Sequence, residues 1–122
     1  MIINDTPAVD MVEFYISKAQ ILYNQGSVPK AIDVAQTALN LLKTNPSAQR
    51  EVAINLFIAR AKSSLGHYEE SNKIYRGLIS EDAYLPPIIL GILHNNLQLQ
   101  RDEKVTKNVN LLKLIFPSEG WS

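Results

Sequence analysis

The sequence of 122 residues predicts an all-α fold built as three antiparallel helix-turn-helix pairs, about six helices in a single domain spanning residues 1–122. Apolar residues recur at spacings of three and four over most of the chain, the period that gathers them on one helix face. Two stretches, Tyr23-Asn24-Gln25-Gly26-Ser27-Val28-Pro29-Lys30-Ala31-Ile32 and Ser63-Ser64-Leu65-Gly66-His67-Tyr68-Glu69-Glu70-Ser71-Asn72, repeat one pattern. In each, a glycine ends one helix and is followed at once by a polar cap and a small residue in the next. No segment alternates apolar and polar residues between hairpin turns, so β-structure has no support.

The first helix is predicted to start at Thr6, whose hydroxyl suits a cap, with Pro7 in the first turn where no amide donor is needed. Val12, Tyr15, Ile16, Ala19 and Leu22 form its buried face, and Gly26 ends it. Ser27 is the next predicted cap, and Ala31, Val34, Ala35, Ala38, Leu39, Leu41 and Leu42 are the stripe of helix two. Asn45-Pro46 marks the start of helix three, Asn as cap and Pro in the first turn. Val52, Ala53, Leu56, Phe57, Ile58, Ala59 and Leu65 give that helix an apolar surface too wide for one-sided packing, the pattern of a central helix. After Gly66, residues Tyr68, Ser71, Ile74, Tyr75, Leu78 and Ile79 carry helix four. Beyond Glu81-Asp82, Pro86-Pro87 can open a helix but not sit inside one, which predicts helix five from Pro86 to about Gln98. Leu99-Gln100-Arg101-Asp102 reads as a third turn. Asp102 would cap a last helix carrying Val105, Val109, Leu112 and Ile115 that Pro117 stops, leaving residues 118–122 as a loose tail.

Twelve basic and twelve acidic residues give a net charge of zero, so no global field attracts nucleic acid or an acidic membrane. The chain has no cysteine, which removes disulfides, thiolate metal ligands and thiol nucleophiles, and suits a reducing cytoplasmic or nuclear setting. The N-terminal residues lack the basic and apolar regions of a secretion signal, and no apolar run reaches the roughly 20 residues of a membrane helix. His67 and His94 have no partner at ligand spacing, so neither a metal nor a cofactor is expected. The five glycines are isolated, which excludes phosphate-cradling loops, and no nucleophile elbow is present. Glu69-Glu70 and Glu81-Asp82 suit helix starts rather than acid–base chemistry. The chain reads as a non-enzyme.

The repeated turn resembles the tetratricopeptide repeat (TPR), a helix-turn-helix unit with a period of about 34 residues. The resemblance is carried in unit one (about 7–44) by Ala19, Gly26, Ala31, Ala38 and Leu39, and in unit two (about 45–82) by Ala59, Gly66, Tyr68, Ser71, Tyr75, Leu78 and Ile79. A degenerate unit three (about 86–117) keeps Leu93, Gln100, Val105, Val109 and Leu112 and loses the glycine. The interval from Gly26 to Gly66 exceeds the family's period by about six residues, which places an extension of helix two or three near Lys43 to Arg50. The family's early Trp is replaced by Tyr15.

The resemblance implies a short right-handed superhelix with a concave groove that binds a helix or peptide of a protein partner. By that alignment the groove would be lined by Glu13, Ile16, Gln20, Tyr23 and Asn24, then Ala53, Leu56, Arg60, Ser63 and Ser64, then Leu90, His94, Leu97 and Gln98. The function implied is that of an adaptor, scaffold or complex subunit. The acidic tail of heat-shock chaperones is disfavoured as a partner, because the positions matching the family's carboxylate clamp are Ile16, Gln20, Phe57, Pro87 and Gly91, none of them cationic.

Leu111, Leu114, Ile115, Phe116 and Trp121 hold more apolar surface than one helix face buries, which predicts a C-terminal end contact with a partner, a second copy or further repeats outside this chain. The alternative is a helical subunit of a ribonucleoprotein that touches RNA through Lys43, Arg50, Arg60, Lys62, Lys73 and Arg76. Residues His67 to Glu70, with Ile74 to Arg76 and Leu78-Ile79, are faintly similar to a repeat in the large TPR subunit of the signal recognition particle. Glu51, Glu69 and Glu70 are interleaved with that cluster, as on an ordinary solvated face, so nucleic acid is the less favoured partner.

Overall fold

Five helices account for the secondary structure of this computed structural model, which describes residues 8–80 and 85–115. They are α1 (Ala8–Asn24), α2 (Val28–Leu41), α3 (Ala48–Ser64), α4 (Tyr68–Gly77) and α5 (Leu85–Ile115). There is no strand among the described residues, and no helix there is long and apolar enough to cross a membrane. The predicted caps and stops at Thr6, Pro7, Glu81, Asp82 and Pro117, together with Phe116, Trp121 and the tail 118–122, lie outside the described residues.

The two glycine turns share one backbone geometry. Gly26 and Gly66 adopt φ of 86° and 81°, the left-handed region that an L side chain resists. Around them the amides of Gly26 and Ser27 bond the carbonyls of Tyr23 and Leu22, and those of Gly66 and His67 bond Ser63 and Lys62. This is the paired bonding that closes a helix C-terminus on a left-handed residue. Ser27 and His67 then occupy the N-cap positions of α2 and α4 with φ −84° in both and ψ 60° and 61°. Neither side chain caps, so the predicted role of the Ser27 hydroxyl is not realised: its carbonyl, not its side chain, begins the helix, accepting from Ala31.

Three boundaries differ from the sequence expectation. Helix α3 starts after Ser47 rather than at Asn45-Pro46, because the Ser47 hydroxyl accepts the amide of Arg50 at 3.3 Å from extended backbone, as an N-cap requires. The extra residues after helix two do not lengthen it as a regular helix: from Lys43 to Asn45 each amide bonds three residues back, a run of tight turns. The third turn at Leu99–Asp102 is absent and α5 continues through it, so among the described residues there are five helices rather than six and no third hairpin. Between Gly91 and Pro117 there is neither Gly nor Pro, and Leu, Gln, Arg, Glu and Lys are all good helix formers; the charge of Asp102 is no breaker by itself. Pro86 and Pro87 sit in the first turn of α5, where an amide donor has no carbonyl to meet.

Side by side, α2 packs on α1 and α3, and α4 on α3 and α5. The core has two parts joined by α3. Val12, Ala19, Ala35, Ala38 and Leu42 meet Ile54 and Ile58 of α3, while Val52 and Ala59 from its other sides meet Tyr75, Leu78 and Ile88. Leu65 and Ile79, assigned from sequence to apolar faces, are exposed where their helices end. The close approach of α4 to α5 depends on Gly91: a Cβ there would run into the Tyr75 ring.

Candidate functional site

The helices α1, α3 and α5 turn one face each toward a cleft of about 550 Å³. Residues three or four apart on a helix share a face. Hence α1 supplies Gln20 and Tyr23; α3 supplies Ala53, Leu56, Phe57, Arg60, Ser63 and Ser64; and α5 supplies Pro87, Leu90, Gly91 and His94, with the Tyr75 ring of α4 at the floor.

The α1–α3 wall is fixed by side-chain bonds. The Tyr23 hydroxyl and Ser64 Oγ are 2.7 Å apart, and the Tyr23 ring meets Phe57 edge-on at 5.7 Å between centroids. The guanidinium of Arg60 lies over the same Tyr23 ring, 5.8 Å from its centroid. On the α5 side the His94 ring meets Tyr68 edge-on at 6.5 Å. Burial pushes the Tyr75 phenol up, the Arg60 charge pulling the other way, so this hydroxyl stays neutral at physiological pH.

Most of the groove residues named from sequence therefore meet around one cleft: Gln20, Tyr23, Ala53, Leu56, Arg60, Ser63, Ser64, Leu90 and His94. The others lie apart. Glu13 pairs with Arg50 at 2.8 Å, joining α1 to α3. Ile16 lines a small apolar cavity of about 80 Å³ with Ala19, Ala53 and Phe57, and Asn24 a recess of about 130 Å³ beside Arg60. Leu97 lies further along α5 with Leu93, on an open cleft of about 1070 Å³ that also meets Glu69 and Glu103. Gln98 is half-buried and lines none of these. Leu111, Leu114 and Ile115 are exposed on the far half of α5, where every described side chain from Gln100 onward is exposed except Val109.

A buried polar cluster was not anticipated from sequence. Asn95 of α5 is completely buried; its amide donates to Ser71 Oγ and to Asn72 Oδ1, both at 2.9 Å, and its carbonyl oxygen accepts from Ser63 Oγ at 2.7 Å. Ser71 in turn donates to the Ala59 carbonyl at 2.7 Å, and Asn72 donates to Asn96 at 3.0 Å. The available signal was Asn95 standing seven residues after Ile88, on the face whose other members, Ile92 and Leu99, are apolar.

The basic residues of α3 diverge. Arg50 pairs with Glu13 of α1, Lys62 pairs with Glu70 of α4 at 2.7 Å, and Arg60, two residues from Lys62 and so on the opposite side of the helix, faces the cleft. The Lys62 ammonium, bonded to Glu70, holds that carboxyl below its ordinary range. Among the described residues no group of three His, Asp or Glu side chains is placed to hold a metal ion. No protein-family model, no curated protein and no solved structure matches this chain.

Proposed function

We propose that this chain is a non-catalytic protein-interaction module, a small TPR-like adaptor or complex subunit that holds a helix or extended peptide of a partner in the cleft between α1, α3 and α5. Two TPR-like hairpins, α1–α2 and α3–α4, followed by α5 as a long closing helix, would form the start of a right-handed superhelix. The observation that carries the reading is the cleft itself: first-helix residues of both hairpins and the first half of α5 converge on it, mixing Leu56, Phe57 and Leu90 with hydrogen-bonding Gln20, Ser64 and His94. The exposed Leu111, Leu114 and Ile115 of α5 supply a second contact, to the same partner or to another copy. A cysteine-free chain of this kind fits the cytoplasm or nucleus.

The ribonucleoprotein reading has less behind it, because two of the middle cations are paired with glutamates and Arg60 points away from them. Leu90 is 66% exposed, so Leu90→Asp leaves the core intact while placing a charge on the cleft wall. Capture from source-cell lysate, with and without nuclease, is the test. The adaptor reading expects a nuclease-resistant set of proteins that Leu90→Asp loses; a nuclease-sensitive set indifferent to Leu90→Asp and lost with Arg76→Glu would replace it with the RNA reading.

A further inference from the structure

We infer that the segment held in the cleft carries a carboxylate side chain, read by Arg60, within a few residues of a bulky apolar one. This rests on the cleft reading above and deepens it. Among the described residues no Asp or Glu lines the cleft, and the neutral Tyr75 phenol adds no negative charge. Among the described residues the ion pairs are Arg50–Glu13 and Lys62–Glu70, so two cations of α3 are neutralised within the fold and Arg60 is not. A cation left in a concave site without an anion selects a ligand of opposite sign.

The geometry also prepares Arg60 for that task. Its guanidinium lies over the Tyr23 ring, and the ring is itself held by Ser64 and Phe57, so the side chain loses less freedom on binding than a solvated arginine. A cation–π contact uses none of the guanidinium N–H donors, which stay available for a bidentate carboxylate. Leu56, Pro87 and Leu90 offer the apolar wall for the neighbouring side chain. This differs from the five-residue carboxylate clamp, whose matching positions carry no cation here; the charge comes from a different place on α3.

The test is a positional-scanning array of decapeptides on a neutral background, probed with the full chain as wild type, Arg60→Glu and Leu90→Asp. Helicity by circular dichroism checks that each variant folds. The wild type is expected to select Asp or Glu near an apolar residue, and Arg60→Glu to lose that acidic selection by about tenfold and turn to Lys or Arg. A reversed preference cannot come from unfolding. Apolar selection with no acidic preference, lost in Leu90→Asp but unchanged in Arg60→Glu, overturns the inference and leaves the cleft reading standing. Acidic selection that survives Arg60→Glu overturns the role of Arg60. No selection by the wild type, or selection untouched by Leu90→Asp, removes the cleft reading and this inference with it.

Discussion

The α1–α2 and α3–α4 hairpins share a turn to within a few degrees and differ in what they bury behind it. In the first, α2 presents Ala31, Ala35 and Ala38; at the corresponding places α4 presents Ser71, Tyr75 and Leu78. The turn is a local property, set by one glycine and the carbonyls it lets the chain reach. The seam answers to the neighbours. Both second helices lie between two others, α2 between α1 and α3 and α4 between α3 and α5. The alanine row suits the close approach of α2, whereas α4 meets α5 at Gly91, where the Tyr75 ring fills the space, and at Asn95, whose amide bonds Ser71. One backbone device therefore serves both an alanine seam and a seam in which apolar side chains share the interior with a hydrogen-bonded polar cluster.

The strongest way to break this contrast is to remove its polar centre. Asn95→Ala deletes three hydrogen bonds, strands buried partners and opens a void, and is expected to cost about 3 kcal/mol in urea unfolding. Next is the exchange at equivalent positions. Ser71→Ala should cost about 2 kcal/mol through the bonds to Ala59 and Asn95, while Ala31→Ser should cost less than about 1 kcal/mol if the hairpins are equivalent, since Ala19 precedes Ala59 by the same forty residues by which Ala31 precedes Ser71 and its carbonyl would then accept from the new hydroxyl. A loss at Ala31→Ser as large as at Ser71→Ala would mean the hairpins are less alike than their turns.

The turns supply the matched control. Gly26→Ala and Gly66→Ala meet no neighbour within 4 Å, so each should cost about 1 kcal/mol of backbone strain alone and the two values should agree. The smallest effect concerns the Lys62–Glu70 pair. A depressed carboxylate contributes stability that is present above its unfolded pKa and lost as pH falls through the lower folded value. By NMR titration Glu70 should show a midpoint below that of an ordinary glutamate and return to it in Lys62→Gln.

Helix identity, both glycine turns and most of the cleft residues were legible because each depends on signals close in sequence: periodicity, a breaker, a face. Gly26 and Gly66 announced their own conformation. The break at Leu99–Asp102 was misread because a polar, charged tetrapeptide can be either a turn or an exposed stretch of helix, and only the lack of Gly or Pro distinguishes them. Ser47 was passed over for Asn45 because Pro46 drew the boundary toward itself, although the capping oxygen lies one residue beyond it. The Asn95 cluster was not legible, since its members come from three helices, α3, α4 and α5, and their convergence is tertiary. Arg60 was named as a groove residue, yet its isolation from the other cations follows only once Arg50 and Lys62 have found glutamates.

The half of α5 past its last packed turn has a thermodynamic consequence of its own. From Gln100 to Ile115 the described side chains are exposed except the half-buried Val109, and a helical stretch of that length is only marginal in water when isolated. Amide protons around Asn95 should exchange with solvent only on global opening, and those from Arg101 to Ile115 by fraying within the native state. Helicity followed on heating would then decline steadily before the sigmoidal transition, the slope reporting the arm and the midpoint reporting the body.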